Sequence, residues 1–127
     1  MSGAVLSRSA QIAVLNDRAR QAMGLTCVAV ATEGFRSLPV ADQSRVRELF
    51  ETFDAFTPDN DPYGERDFGA IYQDCDGAWA TKRPARPVET VFWKIEAYDR
   101  DLRFGSEAPA NPAVTRRVLT IMLASEY

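Results

Sequence analysis

The run from Thr57 to Glu65, Thr-Pro-Asp-Asn-Asp-Pro-Tyr-Gly-Glu, constrains this chain more than any other feature, because neither a helix nor a strand can pass through it. Proline fixes φ twice, Asp and Asn bond their own backbone, and Gly64 admits a positive φ. The chain must bend here, in a structured loop and not a linker. Before the bend the apolar periods are mainly helical; after it they are mainly those of strands.

From Ser9 to Met23, Ile12, Leu15, Ala19 and Met23 recur at helical spacing, with Arg18 and Arg20 off that stripe, which predicts an amphipathic helix ending at Gly24. Leu25 to Thr32 reads as a largely buried strand, and Glu33-Gly34 as a turn. Ser37-Leu38-Pro39 opens a second helix whose apolar face is Val46, Leu49, Phe50 and Phe53. Asp67 to Cys75 and Thr90 to Tyr98 alternate as strands. Asn111-Pro112 reads as an N-cap and first helical position, predicting a last helix from Ala113 to about Ser125 that is apolar on more than one side. Such a helix is central to the core or shared with a second copy in a homodimer. Arg116-Arg117 would be its solvated face. The order α-β-α-β-β-α predicts an α+β domain, a small antiparallel sheet of three or more strands packed with three helices. A single domain spanning residues 1–127 is expected, with about 1–8 as a flexible tail.

Composition excludes chemistry more than it suggests any. There is no histidine, so Ser-His-Asp and Cys-His catalysis and histidine zinc sites are closed. Cys27 and Cys75 lack a C-x-x-C context and read as buried small hydrophobes. No dinucleotide-binding, P-loop or G-x-S-x-G pattern is present, so no cofactor is expected. No secretory leader or membrane-length apolar run is visible, which predicts a cytoplasmic protein with no membrane partner. The net charge is −3, which gives no general attraction to nucleic acid. Its distribution is uneven. Glu51 to Asp76 holds eight acids and one base, a net of −7, so the remainder carries +4.

Two stretches, Asp59-Asn60-Asp61 before Gly64 and Asp99-Arg100-Asp101 before Gly105, adjoin strand ends and could meet at one rim of the sheet. Tested against a calcium loop, Asp59, Asp61, Gly64 and Asp67 fall at positions one, three, six and nine. Tyr63 and Ala70 stand at five and twelve, so the bidentate glutamate is missing. A carboxylate enzyme or divalent-metal binder using Asp59, Asp61, Glu65, Asp67, Asp99 and Asp101, with metal at Asp59, Asp61 and Asp67, is therefore the alternative reading. Tyr63, Arg66 and Arg103 would then steady an anion. The basic connection from Asp76 to Glu89 is longer than a hairpin needs, which predicts a mobile flap or a functional excursion. It carries Trp79, which if exposed would be an interface anchor.

Phe53 to Gly69 (FDAFTPDNDPYGERDFG), Val91 to Ile95 (VFWKI), Tyr98-Asp99, Asp101 to Ser106 (DLRFGS) and Ala113 to Tyr127 (AVTRRVLTIMLASEY) together resemble domain-of-unknown-function family 3768 (DUF3768), from about Ile12 onward. The resemblance implies a small protein of alphaproteobacteria and their plasmids, with a histidine where Arg66 stands here. A mobile-element setting implies an accessory protein that meets host defence or regulatory machinery. The expectation is a non-enzymatic binding protein whose surface comprises Asp54, Asp59, Asp61, Tyr63, Glu65, Asp67 and Trp79. Its partner would be a protein with a basic nucleic-acid-binding surface, inhibited in the manner of an anti-CRISPR or anti-restriction protein, since carboxylates can imitate the phosphate density of DNA.

Overall fold

Ser7 starts the first helix: its Oγ accepts from the Ala10 N–H at 3.1 Å, and α1 runs Arg8–Gln21. The computed structural model describes residues 6–22 and 24–127. Of the tail expected over 1–8, residues 1–5 lie outside these, as does Met23 of the expected apolar stripe, and Arg8 is already helical. Among the described residues follow β1 (Val28–Ala31), α2 (Glu33–Arg36), α3 (Val40–Glu51), β2 (Phe68–Gln73), β3 (Trp79–Ala80), β4 (Glu89–Tyr98), β5 (Arg116–Leu123) and a 3₁₀ turn, Ala124–Glu126. Pro39 does open α3, as its N-cap. The expected turn at Glu33-Gly34 is a single helical turn of its own, capped by the Thr32 hydroxyl.

The five strands form one sheet in the order β1-β5-β4-β2-β3. β4 pairs antiparallel with both β5 and β2, whereas β1 pairs parallel with β5, so the sheet is mixed and not purely antiparallel. The α+β class holds. The last helix does not exist: its residues form β5, between β1 and β4. Val118 and Met122 on the other face of β5 are as apolar as Leu119 and Ile121 on its core face, and periodicity alone does not separate such a run from a buried helix. The β-branched Val118, Thr120 and Ile121 are what favours the strand. Asn111 is not an N-cap; its Oδ1 accepts from the Ala113 N–H at 3.0 Å in a local turn. A dimer through a C-terminal helix thereby loses its element. Arg116 is exposed, but Arg117 is buried, at 4% exposure.

β1 is an edge strand with Ala29 and Val30 exposed, not a largely buried one. The 76–89 connection contains β3, which closes a hairpin on β2. The Asp74 carboxylate accepts from the Asp76 and Ala78 N–H groups, and Gly77 takes φ +86°. Trp79 therefore points into the core, only 5% exposed, and its indole N–H donates to Asp42 Oδ1 of α3 at 3.1 Å. It is no interface anchor. Cys75, at the head of this turn, is exposed, whereas Cys27 is half-buried; both are free thiols.

The core lies between the helices and one face of the sheet, where Ile71, Val91, Trp93 and Leu119 are wholly buried against Val46 and Phe50 of α3 and Ala19 of α1. Trp93 sits in register with Gly69 on β2. A Cβ built at Gly69 would lie 2.5 Å from the indole Nε1, so only glycine lets the ring lie this close to the backbone. Gly69→Ala should therefore lower the unfolding free energy by about 1–3 kcal/mol, the usual range for overpacking, in urea denaturation followed by tryptophan fluorescence. An unchanged midpoint would contradict this packing.

Candidate functional site

The acidic bend is held from inside by its own polar side chains. Asn60 Oδ1 accepts from the Thr57 N–H at 2.8 Å, and its amide donates to Ala55 O at 2.9 Å. Asp61 donates its N–H to Thr57 O, accepts from Gly64 N–H at its carbonyl, and accepts from Arg66 N–H at Oδ1. Gly64 and Arg66 both take positive φ, 68° and 55°. Asp61, which would stand at position three of a calcium loop, is thus occupied in forming the turn.

The bend is also pinned from outside by α1. Asn16 Nδ2 donates to Glu65 O at 2.9 Å, and Arg66 Nη1 meets Asp17 Oδ2 at 3.0 Å. The other oxygen of Asp17 pairs with Arg20 Nη2 at 2.8 Å. Arg20 is 2% exposed, and its Nη1 donates to the carbonyls of Phe50 and Glu51 at the end of α3. Both guanidiniums lie over the Phe56 ring, Arg20 at 5.6 Å and Arg66 at 5.3 Å from its centroid, and Arg20 also lies 5.5 Å from that of Trp93. Where the family resemblance implies histidine, Arg66 thus supplies an ion pair and an aromatic contact.

What the bend presents outward is equally definite. Asp54, Asp59 and Asp67 are exposed, Asp61 and Glu65 are half-buried, and Tyr63 stands 80% exposed. A shallow depression of about 460 Å³ lies against Tyr63, bordered by Phe56, Pro58 and Arg66. Loss of water around the Asp67 carboxyl, with a smaller contribution from the negative charge of Asp61, raises its pKa above the ordinary aspartate value, against the lowering effect of its backbone hydrogen bond.

The second aspartate turn reaches the same end of the sheet, since Phe68 at the start of β2 pairs with Lys94, in the half of β4 that leads into Asp99. There Asp99 Oδ1 accepts from Arg103 N–H at 3.0 Å, and Leu102 takes φ 59°. Among the described residues, however, no three Asp, Glu or Cys side chains gather as a group able to hold a metal ion. Asp59, Asp61 and Asp67 are not brought together in that way, nor are they joined by Asp99 and Asp101.

Asn16, Asp17, Arg20 and Arg117 are absent from the sequence-derived surface, yet they hold it. Arg117 Nε donates to Asn16 Oδ1 at 2.8 Å, so one asparagine joins β5 to Glu65. A signal did exist. Asn16 and Arg20 follow Ile12 at successive four-residue steps and share its buried side of α1.

A family model described as protein of unknown function (DUF3768) matches residues 31–126, most of the chain, and the chain belongs to that family. No curated protein and no solved structure matches it. The match begins after α1, so the helix that pins the bend lies outside it.

Asp17→Ala removes the counter-charge of a buried guanidinium together with the tie to Arg66. It should cost about 1.5–3 kcal/mol in urea denaturation, the range for hydrogen bonds to charged groups. Asp59→Ala, at an exposed site without such partners, should stay within about 0.5 kcal/mol. Equal effects would contradict the bracing described.

Proposed function

We propose that this DUF3768 chain is a non-enzymatic binding protein that docks the bend from Asp54 to Asp67 onto a basic surface of a protein partner. The observation that carries the reading is Tyr63, a large amphipathic side chain 80% exposed at the tip of a turn whose backbone is fixed on both sides. A loop already ordered loses little conformational entropy when it binds. Tyrosine is enriched among the side chains that dominate interface energies. The surrounding carboxylates supply complementarity and faster association with a cationic partner. The chemistry fits a surface evolved to bind phosphates, and occupying such a surface would inhibit a nucleic-acid-targeting complex. The mobile-element setting implied by the family resemblance points to a host defence complex as that target.

No membrane partner is part of the reading, and no helix among the described residues is long and apolar enough to cross a bilayer. Cytoplasmic residence is proposed with it, as the setting in which a nucleic-acid-targeting complex is met.

Affinity capture should retain one partner at low salt and release it as ionic strength rises. Tyr63→Ala, and separately Asp54→Asn with Asp59→Asn, should each reduce retention at least about tenfold, a loss typical of interface hot spots. Retention unchanged in both variants would overturn the proposal. The divalent-metal alternative is separated by titrating Ca²⁺ and Mg²⁺: a rise in melting temperature that Asp61→Asn abolishes would favour it instead.

A further inference from the structure

At the opposite corner of the same sheet end, a recess of about 420 Å³ opens where the parallel pair begins, beneath the C-terminal half of α1. Arg18 of α1, Arg100 of the second aspartate turn, and Arg116 and Arg117 of β5 all line it, with Leu15 and Leu25 as apolar walls. No acidic side chain among the described residues does. None of the ion pairs among the described residues involves any of the four arginines. Arg18 alone would need no explanation, because a cation complements a helix C-terminus. Of the other three, Arg100 comes from the aspartate turn and Arg116 and Arg117 from β5, and no carboxylate forms an ion pair with any of them among the described residues.

Arg117 sharpens the point. It is 4% exposed, and its two hydrogen-bonded nitrogens meet only uncharged acceptors, Asn16 Oδ1 and Pro109 O. A buried guanidinium paired only with neutral oxygens retains much of its desolvation cost, which an anion would offset. Its pKa is lowered by burial, while the Glu65 carboxylate acts the other way. The remaining guanidinium nitrogen, Nη1, is not among the buried groups lacking a partner, which are Arg20 Nε and Trp93 Nε1.

We propose that this recess binds a small phosphomonoester, its phosphate held by Arg100, Arg116 and Arg117 and its organic part resting on Leu15 and Leu25. Planar guanidiniums match phosphate oxygens two at a time, which suits them to this ligand better than lysine would be. A recess of this size, flanked by leucines, takes a phosphorylated sugar-sized molecule and excludes a duplex.

Isothermal titration of the full chain at fixed ionic strength provides the test, with ribose 5-phosphate, inorganic phosphate, ribose and an oligonucleotide lacking a terminal phosphate as probes. Ribose 5-phosphate should bind saturably at one site, inorganic phosphate more weakly and in competition with it, and ribose not at all. Arg100→Ala and Arg116→Ala should each weaken the monoester about tenfold. Both side chains are exposed and outside the bracing network, so the melting temperatures of the variants should match that of the parent. Absence of saturable binding by either phosphate, or affinity unchanged in the double variant, would overturn the site. Equal affinity for the two phosphates, or tighter binding of the oligonucleotide, would overturn the assignment of a monoester.

Discussion

One buried cation organises this molecule. Arg20 donates to the carbonyls of Phe50 and Glu51 in the last turn of α3, at the negative end of that helix dipole. Its charge is met by Asp17 three residues earlier, and its flat face lies over Phe56 and Trp93. An unpaired guanidinium here would cost several kcal/mol; paired in this way it joins α1, α3 and the central strand β4. Its Nε has no partner, so the arrangement is not fully satisfied, and positional specificity is gained at some cost in stability.

The surface follows from that joint. Asp17 spends its second oxygen on Arg66, so the bend from Thr57 to Arg66 is set against α1 before any partner arrives. Asn16 accepts from Arg117 and donates to Glu65, tying the acidic corner to the arginine-lined recess. The uneven charge along the sequence thus becomes a spatial separation along one end of the sheet. α1, which lies outside the matched family region, supports both corners.

Much of this was legible in the residues. The bend, the alternation in β2 and β4, and the apolar face of α3 follow from turn chemistry and periodicity, and each lies close to where those rules put it. β5 was not legible as a strand, because Val118 and Met122 make its outer face apolar as well and Asn111-Pro112 imitates a helix start. Trp79 was misplaced because a two-residue strand has no period to detect, and only the pairing with Gln73 turns it inward. Of the site, the exposed carboxylates and Tyr63 could be read from the sequence. Their supports could not, since charged and amide side chains on a helix are ordinarily assigned to water, and Arg20 and Asn16 are buried by tertiary contacts some thirty to a hundred residues distant.

Residue-resolved amide hydrogen exchange of the bend, in the parent and in Asn16→Ala, tests the account most directly. Asp61, Gly64 and Arg66 each donate an N–H inside the turn, so all three should exchange far more slowly than an unstructured peptide, and faster once Asn16 is removed. Exchange in the parent at the unstructured rate would mean that the bend is not held by α1, and would contradict the central claim.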